Sequence, residues 1–273
     1  MLATLRETDR DRYLACLLSP EDKRPALAAL YAFNAELARV RDMVREPLPG
    51  EIRLQWWRDL LEGAEHGDAG GNPVAAALLS AIGQHHLPRT SLVAMIDARI
   101  SDLYDDPMVD RYELEGYAGE TASALIQLAG LVLSAKDAVH SAEAAGHAGV
   151  AQAIAGLLLL MPQHRRRGQL YLPLDILAAT GLDRDAFLAG DDTAKVSGAI
   201  EAFAGLGLEH LAKARNAAKI SKVVFPAFLP VALAEPVLRR AVREKARVLQ
   251  GHLQPSQWRR QLRLMRAQFL QRF

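Results

Sequence analysis

Several things are scarce in this chain, and each shortage closes off a class of protein. Among 273 residues there is one cysteine, Cys16. No internal disulfide can form, and a reducing compartment suits the chain. Cys16 sits in the apolar stretch YLACLL, where a core thiol is expected rather than a nucleophile. An excess of either charge is also missing: 33 basic and 32 acidic residues leave a formal net charge of +1, which argues against a general nucleic-acid binder. Long hydrophobic runs are lacking. The longest, Gly149 to Met161, contains Gln152 and is too short to span a bilayer, so no transmembrane helix is expected. The opening MLATLRETDRDRYLACLL alternates charge and has no uninterrupted apolar segment of the kind a secretory signal needs. GxSxG, P-loop and dinucleotide-binding fingerprints are absent, which removes serine-nucleophile and common nucleotide-binding chemistries. No segment alternates as a strand would, and there is no internal repeat or low-complexity linker.

What is present is helical spacing. Half the residues are apolar and 24% are charged, a folded composition long enough to bury a substantial core. In PALAALYAFNAELARVRDMV, Leu27, Leu30, Phe33, Leu37, Val40 and Val44 fall at three- and four-residue steps on one helix face. EIRLQWWRDLLEG repeats the pattern with Ile52, Trp56 and Leu60, and Gly63 marks a stop. Turn signals are brief: REPLPG, HGDAGGNP, DDPMVD and LAGDD. The pattern predicts about ten helices in one all-α domain spanning residues 1–273.

Charge is unevenly placed. From Arg239 onward, ten basic residues face a single acid, Glu244, so a basic tail follows an acidic body. The tail ends in a basic amphipathic helix at about residues 256–273, with Trp258, Leu262, Met265, Phe269 and Phe273 as its apolar stripe. The stripe is expected to face the body of the protein, leaving a solvated basic face. The other reading is a peripheral contact with anionic lipid or a partner.

Three groups of residues qualify as candidate sites. His140, Glu143 and His147 fall at i, i+3 and i+7, a spacing that can ligate a metal, although a solvated face is the expectation there. Asp102 and Asp106 are an i, i+4 pair that could converge on Mg²⁺, or on an arginine, at a helix C-terminus before Pro107. Arg165, Arg166 and Arg167 form either an anion-binding cluster or a solvated charge run.

Three stretches, YAFNAELARVRD (Tyr31–Asp42), RLQWWRDLL (Arg53–Leu61) and GVAQAIAGLLLLMPQHRRRGQLYLP (Gly149–Pro173), together resemble the squalene/phytoene synthase family. The resemblance covers most of the chain in order. It implies an isoprenoid-synthase-like helical bundle with a central cavity, in which active members join two prenyl diphosphates. In those members two Asp-xxx-Asp pairs hold the Mg²⁺ ions that stabilise the departing diphosphate. Here the first pair falls on Ala38 and Asp42, the second on Leu160 and His164, and two arginines of the family pattern fall on Ala35 and Leu159. Three of four metal ligands are missing, and Pro162 is expected to disturb the turn between the second pair.

The replacements also reverse the local charge. Arg39, Arg41 and Arg165 to Arg167 lie in or beside the degenerate motifs, so the site is expected to repel Mg²⁺ and attract a phosphate or lipid head group. Asp42 is expected to pair with Arg39, one turn before it. Arg39, Arg165, Arg166, Arg167 and Tyr171 are the candidate anion or ligand contacts. Catalytic residues, metal and other cofactors are not expected. The alternative is a prenyltransferase using Mg²⁺ on displaced ligands Asp42, Asp102 and Asp106, or an isoprenoid- or lipid-binding protein whose cavity is lined by Ala153 and Leu157 to Met161.

Within the family, AFNAEL (Ala32–Leu37), MPQHRRR and FPAFLP (Phe225–Pro230) are similar to the branch of respiratory complex I assembly factors. That resemblance implies a non-catalytic role in building NADH:quinone oxidoreductase, with its subunits or assembly intermediates as partners. It implies a location in the cytoplasm or peripherally on the inner face of the membrane. Nucleic acid is not an expected partner.

Overall fold

The computed structural model describes residues 1–63, 71–217, 220–251 and 253–273. Among them there is no strand and there are fourteen α-helices. These are α1 (Leu2–Thr8), α2 (Arg10–Leu17), α3 (Arg24–Met43), α4 (Pro47–Glu62), α5 (Pro73–His85), α6 (Arg89–Ile100) and α7 (Arg111–Ala118). They continue as α8 (Ala124–Ala138), α9 (Ala142–Arg166), α10 (Leu174–Ala179), α11 (Arg184–Ala189), α12 (Thr193–Asn216), α13 (Ala234–Glu244) and α14 (Gln257–Leu270). The count exceeds the ten expected because short helices such as α10 and α11, six residues each, are too brief to show a period.

Helix ends follow local chemistry. Asp9, Asn72, Asp110, Asp183 and Asp192 accept backbone N–H groups at the starts of α2, α5, α7, α11 and α12. Gly63 and Gly190 close α4 and α11 in the left-handed conformation, as their positions predict. REPLPG is only partly a turn: Pro47 and Pro49 lie inside the first turn of α4, where their missing N–H groups are no loss. Gly50, also in α4, lets Leu103 approach; an added Cβ would stand 2.9 Å from Leu103 Cδ1. Of HGDAGGNP, residues 66–70 lie outside the described residues.

The face of α3 is as expected, with Leu27, Leu30, Phe33, Leu37 and Val40 all buried. Each such Leu or Phe contributes about 1.5–3 kcal/mol. The face of α4 is not. Leu54, Trp57, Leu60 and Leu61 are buried while Ile52 is exposed. Trp56 and Trp57 are adjacent, so either could head the stripe, and packing of Trp57 edge-on against Phe33 selects the second. Cys16 is buried, and burial pushes its thiol up to about 12, consistent with an inert core position.

Three apolar clusters build the interior. One gathers α3, α4, α5, α6 and α8, a second gathers α9, α12 and α13, and a third joins the 3₁₀ stretch Phe225–Leu233 to α14. Central to the bundle is α9, which packs against α8, α12, α13 and the π-helical turn Gly119–Ser123. It runs unbroken through Pro162 to Arg166. The expected break does not occur; Leu158 and Met161, both buried, anchor the turn before the ring in the core. The continuous stretch Arg111–Arg166 contains an apolar 18-residue window with a mean hydropathy of 1.6, of which 61% is buried inside the bundle.

Candidate functional site

A cavity of about 380 Å³ opens between the clusters. Five helices, with the segments beside them, supply most of its wall. The start of α2 gives Asp11 and Arg12, and Asp9 precedes it. The last turns of α3 give Ala38, Arg41 and Asp42. From α6 and the turn after it come Arg99 and Asp102, and from α9 come Ala153, Leu157, Leu159, Leu160, Gln163 and His164. Arg167, Gln169 and Tyr171 follow, and Arg260 of α14 completes the wall. All four degenerate motif positions, Ala38, Asp42, Leu160 and His164, therefore face one cavity.

Four carboxylates line this cavity, and an arginine takes each one. Asp9 accepts from Arg12 at 2.6 Å, Asp42 from Arg167 at 2.5 Å, Asp102 from Arg99 at 3.0 Å, and Asp11 from Arg260. Asp42 also accepts weakly from Gln163 Nε2 at 3.4 Å. The expected Arg39–Asp42 pair does not form. Asp42 ends α3 where the helix dipole is negative, and Arg167, just beyond the end of α9, reaches it directly. Arg39 is exposed and not part of the wall.

Asp102 is the most enclosed of the four at 8% exposure. Tyr117 and Tyr171 donate their hydroxyls to it at 3.1 and 3.0 Å, and Arg99 also donates to Tyr117 Oη at 2.6 Å. Gln169 donates to the Asp102 carbonyl at 3.3 Å. Burial, reinforced by the Asp102 charge, drives the Tyr171 hydroxyl far above its ordinary range, so it stays a donor. His164 stacks on Tyr171 with ring centroids 4.6 Å apart, and burial holds its imidazole down at about 4. It is neutral at physiological pH.

Several expected contacts are corrected by these positions. Asp102 and Asp106 do not converge, because the chain turns to extended backbone at Tyr104; Asp106 is exposed and Asp102 is enclosed. The displaced set Asp42, Asp102 and Asp106 therefore does not come together, and among the described residues no three His, Cys, Asp or Glu side chains gather in a group that could hold an ion. Arg165 is not an anion contact: it donates to the carbonyls of Leu188 and Ala189 at the end of α11. Arg166 is exposed and lies off the cavity wall. Of the triplet only Arg167 reaches the cavity, and Tyr171 reaches it already bonded to Asp102. Of the apolar lining, Ala153, Leu157, Leu159 and Leu160 face the cavity, while Leu158 and Met161 face the core. His140 lies in a 3₁₀ turn before α9, so it shares no face with His147, which meets His210 Nδ1 at 3.1 Å instead.

Composition and spacing missed Asp9, Asp11, Arg12, Arg99, Tyr117 and Arg260, which converge from distant segments. For Asp9, Asp11 and Arg12 the one local signal is the alternating charge of RETDRDR. Arg41, expected only as part of the local positive charge, reaches the cavity itself. It lines the wall with only Asp105 at 3.6 Å and the Val44 carbonyl at 3.4 Å, and its buried Nε has no partner.

These features define an isoprenoid-synthase-type bundle that has lost acid at Ala38, Leu160 and His164 and whose remaining cavity carboxylates are paired with arginines. The chain belongs to the squalene/phytoene synthase family, whose model matches residues 5–262. It is 36% identical over 243 residues to the NADH dehydrogenase (ubiquinone) complex I assembly factor 6 proteins of Rattus norvegicus and Homo sapiens, covering 89% of this chain and 73% of each relative. The fold is similar to that of a squalene synthase from Alicyclobacillus acidocaldarius, with a TM-score of 0.71 and 16% identity over 91% of this chain and 92% of that one. A dehydrosqualene synthase solved with a ligand gives a TM-score of 0.76 at 16% identity, covering 99% and 94%.

Proposed function

We propose that the chain is a non-catalytic assembly or accessory factor for NADH:quinone oxidoreductase, built on a synthase scaffold. The observation that carries this reading is the neutralised cavity. Two of the four motif positions, Ala38 and Leu160, carry no polar side chain, and a third is the neutral imidazole of His164. The fourth, Asp42, is held by Arg167. Mg²⁺ needs several free carboxylates or other hard oxygens around it. Binding at this wall would break guanidinium pairs and leave arginines facing a cation, so the donor set does not fit the metal cluster that diphosphate departure requires. The similarity to complex I assembly factors supports the positive half of the reading. In it the protein needs no cofactor, and its partners are complex I subunits or assembly intermediates. Its place is the cytoplasm or the inner membrane surface.

The test is a chromosomal deletion read in two ways. Loss of assembled complex I on native gels with unchanged isoprenoid products is the expected result. The reverse pattern, or turnover of farnesyl or geranylgeranyl diphosphate by the purified protein with Mg²⁺, overturns it.

A second reading concerns the same cavity. Ala153, Leu157, Leu159 and Leu160 give it an apolar side, and Arg41 and Arg167 give it a cationic end. This lining suits an isoprenoid or phospholipid held without chemistry. Lipid extraction and mass spectrometry of the purified protein tests it, and an empty extract rejects it.

A further inference from the structure

The C-terminal helix inverts the expectation drawn from its sequence. On α14 the residues turned to the body are Leu264 and Ala267, while the long apolar stripe points outward. Trp258 is 61% exposed, Leu262 57%, Met265 59% and Phe269 86%. These four fall at i, i+4, i+7 and i+11, one continuous face opposite the docked one.

The orientation is well anchored. Arg260 bonds Asp11, Arg263 donates to the Ala232 carbonyl at 2.8 Å, and Arg10 donates to Gln257 at 2.8 Å. Beyond the helix, Phe273 stacks on Phe228 with centroids 5.7 Å apart, and Arg215 donates to the Phe273 carbonyl at 2.8 Å. The helix cannot roll to bury its stripe without breaking these contacts, so another surface must cover it.

Charge identifies that surface. No acid occurs between Gln257 and Leu270. Arg259 and Arg266 flank the stripe on one side, both exposed, and neither has a carboxylate within 4.0 Å among the described residues. An open groove beside them, against α13, adds Arg240, Arg243 and Arg263. Its acids are occupied: Glu235 is held by Arg215, Arg239 and Arg263, and Glu244 lies 3.6 Å from Arg240. A second copy packed face to face through this helix would bring the same arginines against each other and offer no free acid there.

We propose that the outer face of α14 is a docking surface for an anionic lipid bilayer, with Trp258, Leu262, Met265 and Phe269 inserted at the acyl boundary and Arg259 and Arg266 on the phosphates. This goes beyond the assembly-factor reading and does not depend on it. The docked helix also turns Arg260 toward the cavity, so the bilayer and the cavity lie on opposite sides of one helix, about 10 Å apart.

The test is flotation of the full chain with vesicles of phosphatidylglycerol mixed equally with phosphatidylcholine, against phosphatidylcholine alone. Binding to the anionic vesicles alone, weakened by salt, is expected. Leu262→Ser with Phe269→Ser should cut affinity at least about tenfold while circular dichroism and Tm stay unchanged, because both side chains are exposed. Arg259→Gln with Arg266→Gln should cut it about 20-fold. Lipids brominated in the acyl chain should quench the wild type and spare Trp258→Phe. Absence of flotation, equal binding to neutral vesicles, or a dimer in solution that depends on Phe269 overturns the proposal.

Discussion

At the scale of single residues, Asp102 organises the cavity. Arg99, Tyr117 and Tyr171 all donate to its carboxylate, and each depends on it for a buried partner. Asp102→Ala leaves the Arg99 guanidinium enclosed and unpaired, and we expect a loss of about 3 kcal/mol in urea unfolding. Tyr171→Phe removes one donor from the same network and should cost about 1 kcal/mol. His164 supplies a pH signature. Burial lowers its pKa to about 4 from the ordinary 6.5, so the unfolded chain takes up a proton at a higher pH than the folded one. Its contribution to stability is therefore complete above pH 6.5 and declines as pH falls toward 4. His164→Leu should flatten the urea-midpoint profile between those values; a slope unchanged from wild type would reject the assignment.

At the scale of elements, close approach and charge decide what the helical period leaves open. Gly149 on α9 lies against Ser123 in the π-helical turn, and a Cβ there would overlap Ser123 backbone atoms. Gly149→Ala should destabilise the protein by about 1–3 kcal/mol, read by thermal and urea unfolding. The acid that secures α13 to its neighbours is Glu235. Its bond from Arg215, with Arg239 beside it, holds the carboxyl down at about 2. Glu235→Gln should lower stability at neutral pH, and the deficit against wild type should close as pH falls from about 4.5 toward 2, where wild-type Glu235 itself takes up a proton. Four consecutive leucines in α9 do not show which of them face the core, and the passage of the helix through Pro162 was not legible either, because buried neighbours rather than local preference hold it.

For the whole molecule, the arginine pairs predict indifference to divalent metal. A folded-state Mg²⁺ site would raise Tm with concentration. Neither Mg²⁺ nor a chelator is expected to shift the Tm of this protein, measured by calorimetry; a saturable rise with Mg²⁺ would restore the prenyltransferase reading. The cavity persists without its metal ligands because its walls are made by the packing of α3, α6 and α9, whose apolar faces are independent of what projects inward.

The sequence by itself determined the all-helical class, the face of α3, the stop at Gly63 and the loss of acid at Ala38, Leu160 and His164. These are local quantities, written in spacing and residue type. Only the tertiary structure decided which arginine meets which carboxylate, since Asp11 and Arg260 are 249 positions apart and no period links them. It also decided that Arg165 ties down α11 instead of meeting a ligand, and that the stripe of α14 faces outward. An amphipathic helix states that one face is apolar; which face the protein covers depends on the anchors around it.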